Sequence, residues 1–93
     1  MALEEITVTG EKALKIADAL TSTSFKILQL LSKEQLDVST IAERLELSEA
    51  YISEQVRMLE DLKLIKVRYE RGIKGIRKIC QTAVRKITIV IKS

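Results

Sequence analysis

The chain has 93 residues, 46% hydrophobic and only 3% aromatic, which supplies one aliphatic core but not two, so a single domain over residues 1–93 is expected. No run approaches the ~18 consecutive apolar residues of a membrane span. The beginning of the chain also lacks the basic-then-apolar layout of a secretory signal, so a cytoplasmic protein with no membrane partner is expected. The net charge of +3 is unevenly spread: residues 1–62 hold twelve acidic and six basic side chains, residues 63–93 ten basic ones and Glu70 alone as acid.

Residues 4–8, Glu-Glu-Ile-Thr-Val, alternate polar and apolar and predict a short strand with Ile6 and Val8 on its buried face. Gly10 ends it. Ala13, Leu14, Ile16, Ala17 and Leu20 then recur at helical spacing over residues 11–20. The run Thr21-Ser22-Thr23-Ser24 is rich in capping residues and starts a second helix that reaches about Lys33. Its Phe25, Ile27, Leu28, Leu30 and Leu31 lie on more than one side, so it is expected at the centre of the core. A short third helix covers residues 39–46, capped by Ser39, with Ile41, Ala42 and Leu45 inward. A fourth begins at Ser48 and buries Ile52, Val56, Leu59 and Leu62, ending near Lys63.

After Lys63 the period changes. Ile65 to Glu70 alternate strictly between apolar and charged, which reads as a half-buried strand. Arg71-Gly72-Ile73-Lys74-Gly75 forms a turn, and residues 76–81 return. Ile76 and Ile79 are out of phase there, which a bulge would explain. Residues 86–92 make a last strand with Ile87, Ile89 and Ile91 on one face. Left unpaired it would be an aggregation-prone edge, so it is expected to pair with strand 4–8, in the same chain or across a dimer. Helix 11–20 and these terminal strands are the expected dimer interface.

The segment from Ser39 to Leu59 meets the demands of a helix-turn-helix. Ala42 is small where the helices cross, Leu47 plugs the turn, Ser48 caps the second helix, and Ile52, Val56 and Leu59 anchor its back. A plain helical hairpin would satisfy the same pattern. The alternating strand, basic glycine turn and return strand that follow point instead to an α+β winged helix-turn-helix, with four helices, a β-hairpin wing and extra terminal strands. Residues 12–71 resemble the ArsR-type winged-helix regulators of archaea and bacteria, and the archaeal type is the expectation. The resemblance is carried by ALTSTSFKILQLL at 19–31, VSTIAERLELSEAYISEQVRMLEDLKLIKV at 38–67 and RGIKGIRKIC at 71–80. It implies a homodimer that places one recognition helix in each operator half-site. Metal-sensing members carry a cysteine motif where this chain has Ile41-Ala42-Glu43-Arg44-Leu45. A strand also stands where the familiar form has a fifth, dimerising helix, so the family's dimer geometry does not carry over.

The expected partner is double-stranded DNA. On the fourth helix the candidates are Ser48, Ala50, Tyr51, Ser53, Glu54 and Arg57. Tyr51, Ser53 and Arg57 can bond phosphates or base edges, Ala50 can touch a thymine methyl, and Glu54, like Glu49, can accept from cytosine or face away. On the wing they are Arg68, Arg71, Lys74, Arg77 and Lys78, a phosphate clamp whose affinity would fall steeply with salt. A protein-interaction module, favoured by the acidic fourth helix, and a non-specific chromatin-like DNA binder, favoured by cations confined to the wing, are the alternatives. With no histidine, no glycine-rich phosphate loop and no paired nucleophile, no enzyme and no cofactor are expected. The single Cys80 reads as a buried apolar side chain, a disulfide between subunits, or a redox-sensing thiol.

Overall fold

A computed structural model describes residues 3–92. In chain order the elements are β1 (Glu4–Val8), α1 (Gly10–Ala19), α2 (Ser22–Leu31), β2 (Leu36–Asp37), α3 (Val38–Leu45), α4 (Glu49–Asp61), β3 (Ile65–Gly72), β4 (Gly75–Thr82) and β5 (Val84–Ile89). Residues 1, 2 and 93, which the expected domain span includes, lie outside the described residues.

Periodicity places the helices. Ile16 of α1, Ile27 of α2, Ile41 of α3 and Ile52, Val56 and Leu59 of α4 are fully buried, each contributing roughly 1.5–3 kcal/mol by leaving water. The aliphatic stripe of α1 is narrower than its composition suggests: Ala13, Ile16 and Ala19 are inside, while Leu14 and Ala17 are exposed. Phe25 likewise faces out from α2, so that helix buries one side and not several. Its start is secured by a reciprocal cap, in which Ser24 N–H donates to the Thr21 hydroxyl and Thr21 N–H to Ser24 Oγ. The buried Ser24 hydroxyl donates in turn to the Ala19 carbonyl at 2.6 Å, so its burial leaves no polar group unsatisfied.

Two sheets frame the helices. β2, β4 and β3 form an antiparallel sheet in that order, and β1 pairs with β5 in parallel. The terminal strands therefore pair within one chain. β5 starts and stops earlier than the expected 86–92, because Ala83 alone links it to β4 and its pairing with β1 ends at Val8–Ile89. Ile91 is consequently exposed. β3 and β4 run in unbroken register from Ile65–Thr82 to Gly72–Gly75, so the hairpin has no bulge, and the register shift lies instead in the β1–β5 pair between Glu4 and Glu5. Ile76 and Ile79 are out of phase simply because they lie on opposite faces. Ile79 is buried and Ile76 is not.

β2 was not expected. It is two residues long, opposite Ile79 and Cys80, and too short to show any period. It shifts the cap of α3 from Ser39 to Asp37, whose carboxylate accepts from Thr40 N–H at 2.8 Å. Four helices packed beside a three-stranded sheet whose two long strands, β3 and β4, form a hairpin make this fold a winged helix-turn-helix, with the β1–β5 pair added.

Candidate nucleic-acid interface

Both helices of the reader pair end without glycine. After α3, Glu46 takes a left-handed conformation (φ 56), and Leu47 N–H donates to the Ala42 carbonyl at 3.0 Å. After α4, Lys63 does the same (φ 62), and Leu64 N–H donates to Leu59 at 2.9 Å. These closures satisfy free carbonyls at the helix ends and set two angles: α3 against α4, and α4 against the wing. Leu47, expected to plug the first turn, is 40% exposed, so backbone bonds hold that turn as much as the side chain does. Ser48 caps α4 by accepting from Tyr51 N–H at 3.2 Å.

The start of α4 and the wing face one another across an open cleft of about 1080 Å³. Glu49, Ala50 and Ser53 line it from the helix; Arg71, Lys74, Arg77 and Lys78 line it from the wing. Six of the eleven candidate residues thus share one concavity. Glu54 and Arg57 open instead onto a second groove, about 480 Å³, shared with Lys15 and Asp18 of α1. Tyr51 is 38% exposed on α4, and neither it nor Ser48 lines the cleft. Arg68 lies farther down β3.

The cations of the wing fall into two groups. Arg68 is held by Glu70 at 2.5 Å and by Gln35 at 3.0 Å. Arg77 makes two bonds to Asp37, at 2.9 and 3.0 Å, and sits 3.6 Å from Glu70. Its aliphatic stem lies against Gly72, where a Cβ would meet Arg77 Cδ at 2.7 Å. Lys78 pairs with Glu60 at 3.5 Å. Arg71 and Lys74 have no carboxylate partner among the described residues. Ion pairs at the surface are worth only about 0–1 kcal/mol, so the paired cations remain available to a stronger anion. Arg71 and Lys74 are the ones already free.

The acidity of α4 is partly accounted for. The Ser39 hydroxyl donates to Glu49 Oε1 at 2.8 Å, tying the first turn of α4 back to α3 and occupying that carboxylate. Asp37, at the floor of the cleft, is held below the usual carboxylate pKa by the Thr40 side chain first, then by Thr40 N–H and Arg77, against some desolvation. Sequence reasoning missed Asp37, Val38 and Ser39 as cleft residues: it gave Ser39 only as a helix cap and assigned the first two to no element. The pattern Asp37-x-x-Thr40 was the available signal.

Cys80 is wholly buried, opposite Val67 and Leu36. Burial pushes its thiol pKa up to about 11, which disfavours the reactive thiolate. Its full burial supports the reading as a buried apolar side chain, and a disulfide to a second subunit would require the core to open.

Among the described residues, no helix is long and apolar enough to cross a membrane, and no group of three or more His, Cys, Asp or Glu is placed to hold a metal ion. No curated protein matches the chain. Its fold is similar to that of reduced HlyU from Vibrio cholerae N16961 (25% identity, TM-score 0.67, covering 77% of this chain and 73% of that one). It also resembles ZitR of Lactococcus lactis, in its C30AH42A mutant (30% identity, TM-score 0.58, 68% and 42%). A third similar structure is the homodimeric winged helix-turn-helix DNA-binding domain Mb0332 of Mycobacterium bovis, a possible ArsR-family transcriptional regulator (22% identity, TM-score 0.67, 78% and 65%). Residues 21–67, half of the chain, match the family described as bacterial regulatory protein, arsR family. They run from the cap of α2 through the reader pair into β3, and by them this chain belongs to the arsR family of DNA-binding transcriptional regulators.

Proposed function

We propose that the chain, one domain over residues 1–93, is a homodimeric, sequence-specific repressor or activator of transcription acting in the cytoplasm, and not an enzyme. Helix α4 enters the major groove, and the wing grips the phosphate backbone beside it. The observation that carries this reading is the shared cleft: Ala50 and Ser53 of α4 face the same space as Arg71, Lys74, Arg77 and Lys78 of the wing. Ala50, Ser53 and Arg57 recur at three- and four-residue spacing, so they form one outward stripe along α4. Ser48, Tyr51 and Glu54 flank that stripe, and Arg68 extends the cationic line down the hairpin.

Ser53 and Arg57 offer donors to base edges or phosphates, and Ala50 offers a methyl-sized contact to thymine. Arg71 and Lys74 neutralise phosphates. A dimer is supported by the exposed Leu14 on α1 and by the outer edges of the β1–β5 pair. The homodimeric state of Mb0332 supports it too. Dimeric winged helices place two recognition helices on successive major-groove faces. The archaeal type of the family remains our reading from sequence resemblance.

The test is a gel-shift titration on the region upstream of the chain's own coding sequence, run across salt concentrations and with competitor DNA. Specific regulation predicts a retarded dimer–duplex complex, a steep loss of affinity with salt and poor competition by unrelated DNA. Equal competition by any duplex would instead establish the chromatin-like binder, a reading favoured by a positive charge bias in the wing and not in the reading helix. No binding at low salt would reject both and leave a protein-interaction module.

A further inference from the structure

The tip of the wing holds a side chain that the fold does not need. Ile73 and Lys74 form the two-residue connection between β3 and β4, and Ile73 is completely exposed, at 104% of its reference area. Two-residue hairpin turns favour Asn, Asp and Gly. Here the unusual backbone angle is carried by Gly75 (φ 123), while neither Ile73 nor Lys74 has a positive φ. The position would accept almost any polar residue, and a β-branched apolar side chain in water gains nothing there. Ile76, on the adjoining strand, is also largely exposed.

The surroundings indicate what this side chain meets. The hairpin behind it is an unbroken eight-pair ladder, so the tip is presented on a stiff support. Arg71 and Lys74, the two cleft-lining wing cations without a carboxylate partner among the described residues, flank it in sequence. The tip borders the same cleft as Ala50 and Ser53, so a duplex seated on α4 meets the tip as well. An apolar residue between cations, on a rigid finger aimed at a duplex, matches the wedges that enter a minor groove and part a base step.

We propose that Ile73 is such a wedge: it inserts at a flexible pyrimidine–purine step, unstacks it in part and bends the DNA, while Arg71 and Lys74 hold the phosphates on either side. This rests on the DNA-binding reading above. It adds that the wing selects sequence through deformability, whereas α4 selects through base edges.

The experiment uses the full chain and a duplex that it enriches from a random library. The duplex is end-labelled for energy transfer and carries 2-aminopurine at successive steps. Wild-type protein is expected to bend it by about 20–90° and to brighten 2-aminopurine about twofold or more at one step per wing. Ile73→Ser is expected to abolish the brightening and most of the bend, with an unchanged circular-dichroism spectrum. Ile73→Leu should retain both. Lys74→Ala should weaken binding and lower its salt dependence while the bend persists in the complex. A wild-type complex that neither bends nor brightens the duplex overturns the wedge but leaves the DNA-binding reading intact. Enrichment of no duplex at all overturns that reading, and the wedge with it. Ile73-dependent binding to phosphatidylglycerol vesicles without unstacking would assign the tip to a lipid surface and likewise overturn the proposal.

Discussion

Helix α4 and the wing face one cleft but are held and equipped in opposite ways. α4 is fixed from behind by three fully buried side chains, Ile52, Val56 and Leu59, and presents Ala50, Ser53 and the Glu49 carboxylate, but no cation, to the cleft. The outer half of the wing has no core behind it. It is held by ladder hydrogen bonds and short ion pairs, and it presents cations. An element without cations, fixed from behind by the core, suits the reading of shape and base edges. A cationic, lightly anchored one suits non-specific grip. On the proposed reading, phosphate grip sits on the wing and base-edge reading on α4, so the two can be altered separately.

The largest expected effect tests the difference in anchoring. Leu59→Ala should cost about 2–5 kcal/mol in urea unfolding, because it empties a closed site. Tyr69→Ala on the exposed wing should stay within about 0.5 kcal/mol. Comparable losses would show that the wing is not the lightly held part. Next comes the difference in chemistry. The double substitution Arg71→Ala, Lys74→Ala should reduce the slope of log affinity against log salt by about two, with similar losses on every sequence. Ser53→Ala should leave that slope alone and change the discrimination between bases at one or two positions by about 1–3 kcal/mol, read by competition between duplex variants. A Ser53 variant that loses affinity uniformly would erase the distinction.

Two smaller effects sharpen it at the joints. Asp37→Ala removes the cap of α3 and a partner of Arg77, and should cost about 1 kcal/mol near neutral pH. Because the folded-state pKa of Asp37 is depressed, its contribution is present above the unfolded value of about 3.9 and is lost as pH falls through the lower folded value. Melting temperatures of the two proteins should therefore converge at acid pH. Lys63→Gly, at the left-handed link between α4 and β3, should raise stability by a few tenths to about 1 kcal/mol in the same urea measurement. A loss there would mean that the Lys63 side chain, and not its backbone, sets the angle of the wing.

How much of this was legible in the sequence follows from how each feature is encoded. The helices and the hairpin announce themselves through repeated spacing, and the cations of the wing through composition. β2 has two residues and so no repeat to detect. The terminations at Glu46 and Lys63 lack the glycine that usually marks them. The outward placement of Phe25 and Leu14 depends on which side of each helix meets the core, and hydrophobicity alone does not fix that. The composition of the site was readable, but its division was not. Arg71 and Arg77 look alike in sequence, yet Asp37 reaches only the second, across forty residues of chain. Ile73 looked like part of a turn, and only its exposure sets it apart.

The direct link between the two sheets, from β4 to β5, is Ala83 alone, and its backbone groups are both engaged. Its N–H donates to the Leu64 carbonyl at 2.9 Å, and its own carbonyl accepts from Glu4 at 3.1 Å. Thr82 and Val84 on either side are buried and bonded to each other. The joint behaves as a rivet through three layers: the exit of α4, the root of the wing and the first strand. Splicing even one extra residue into it would disturb all three together.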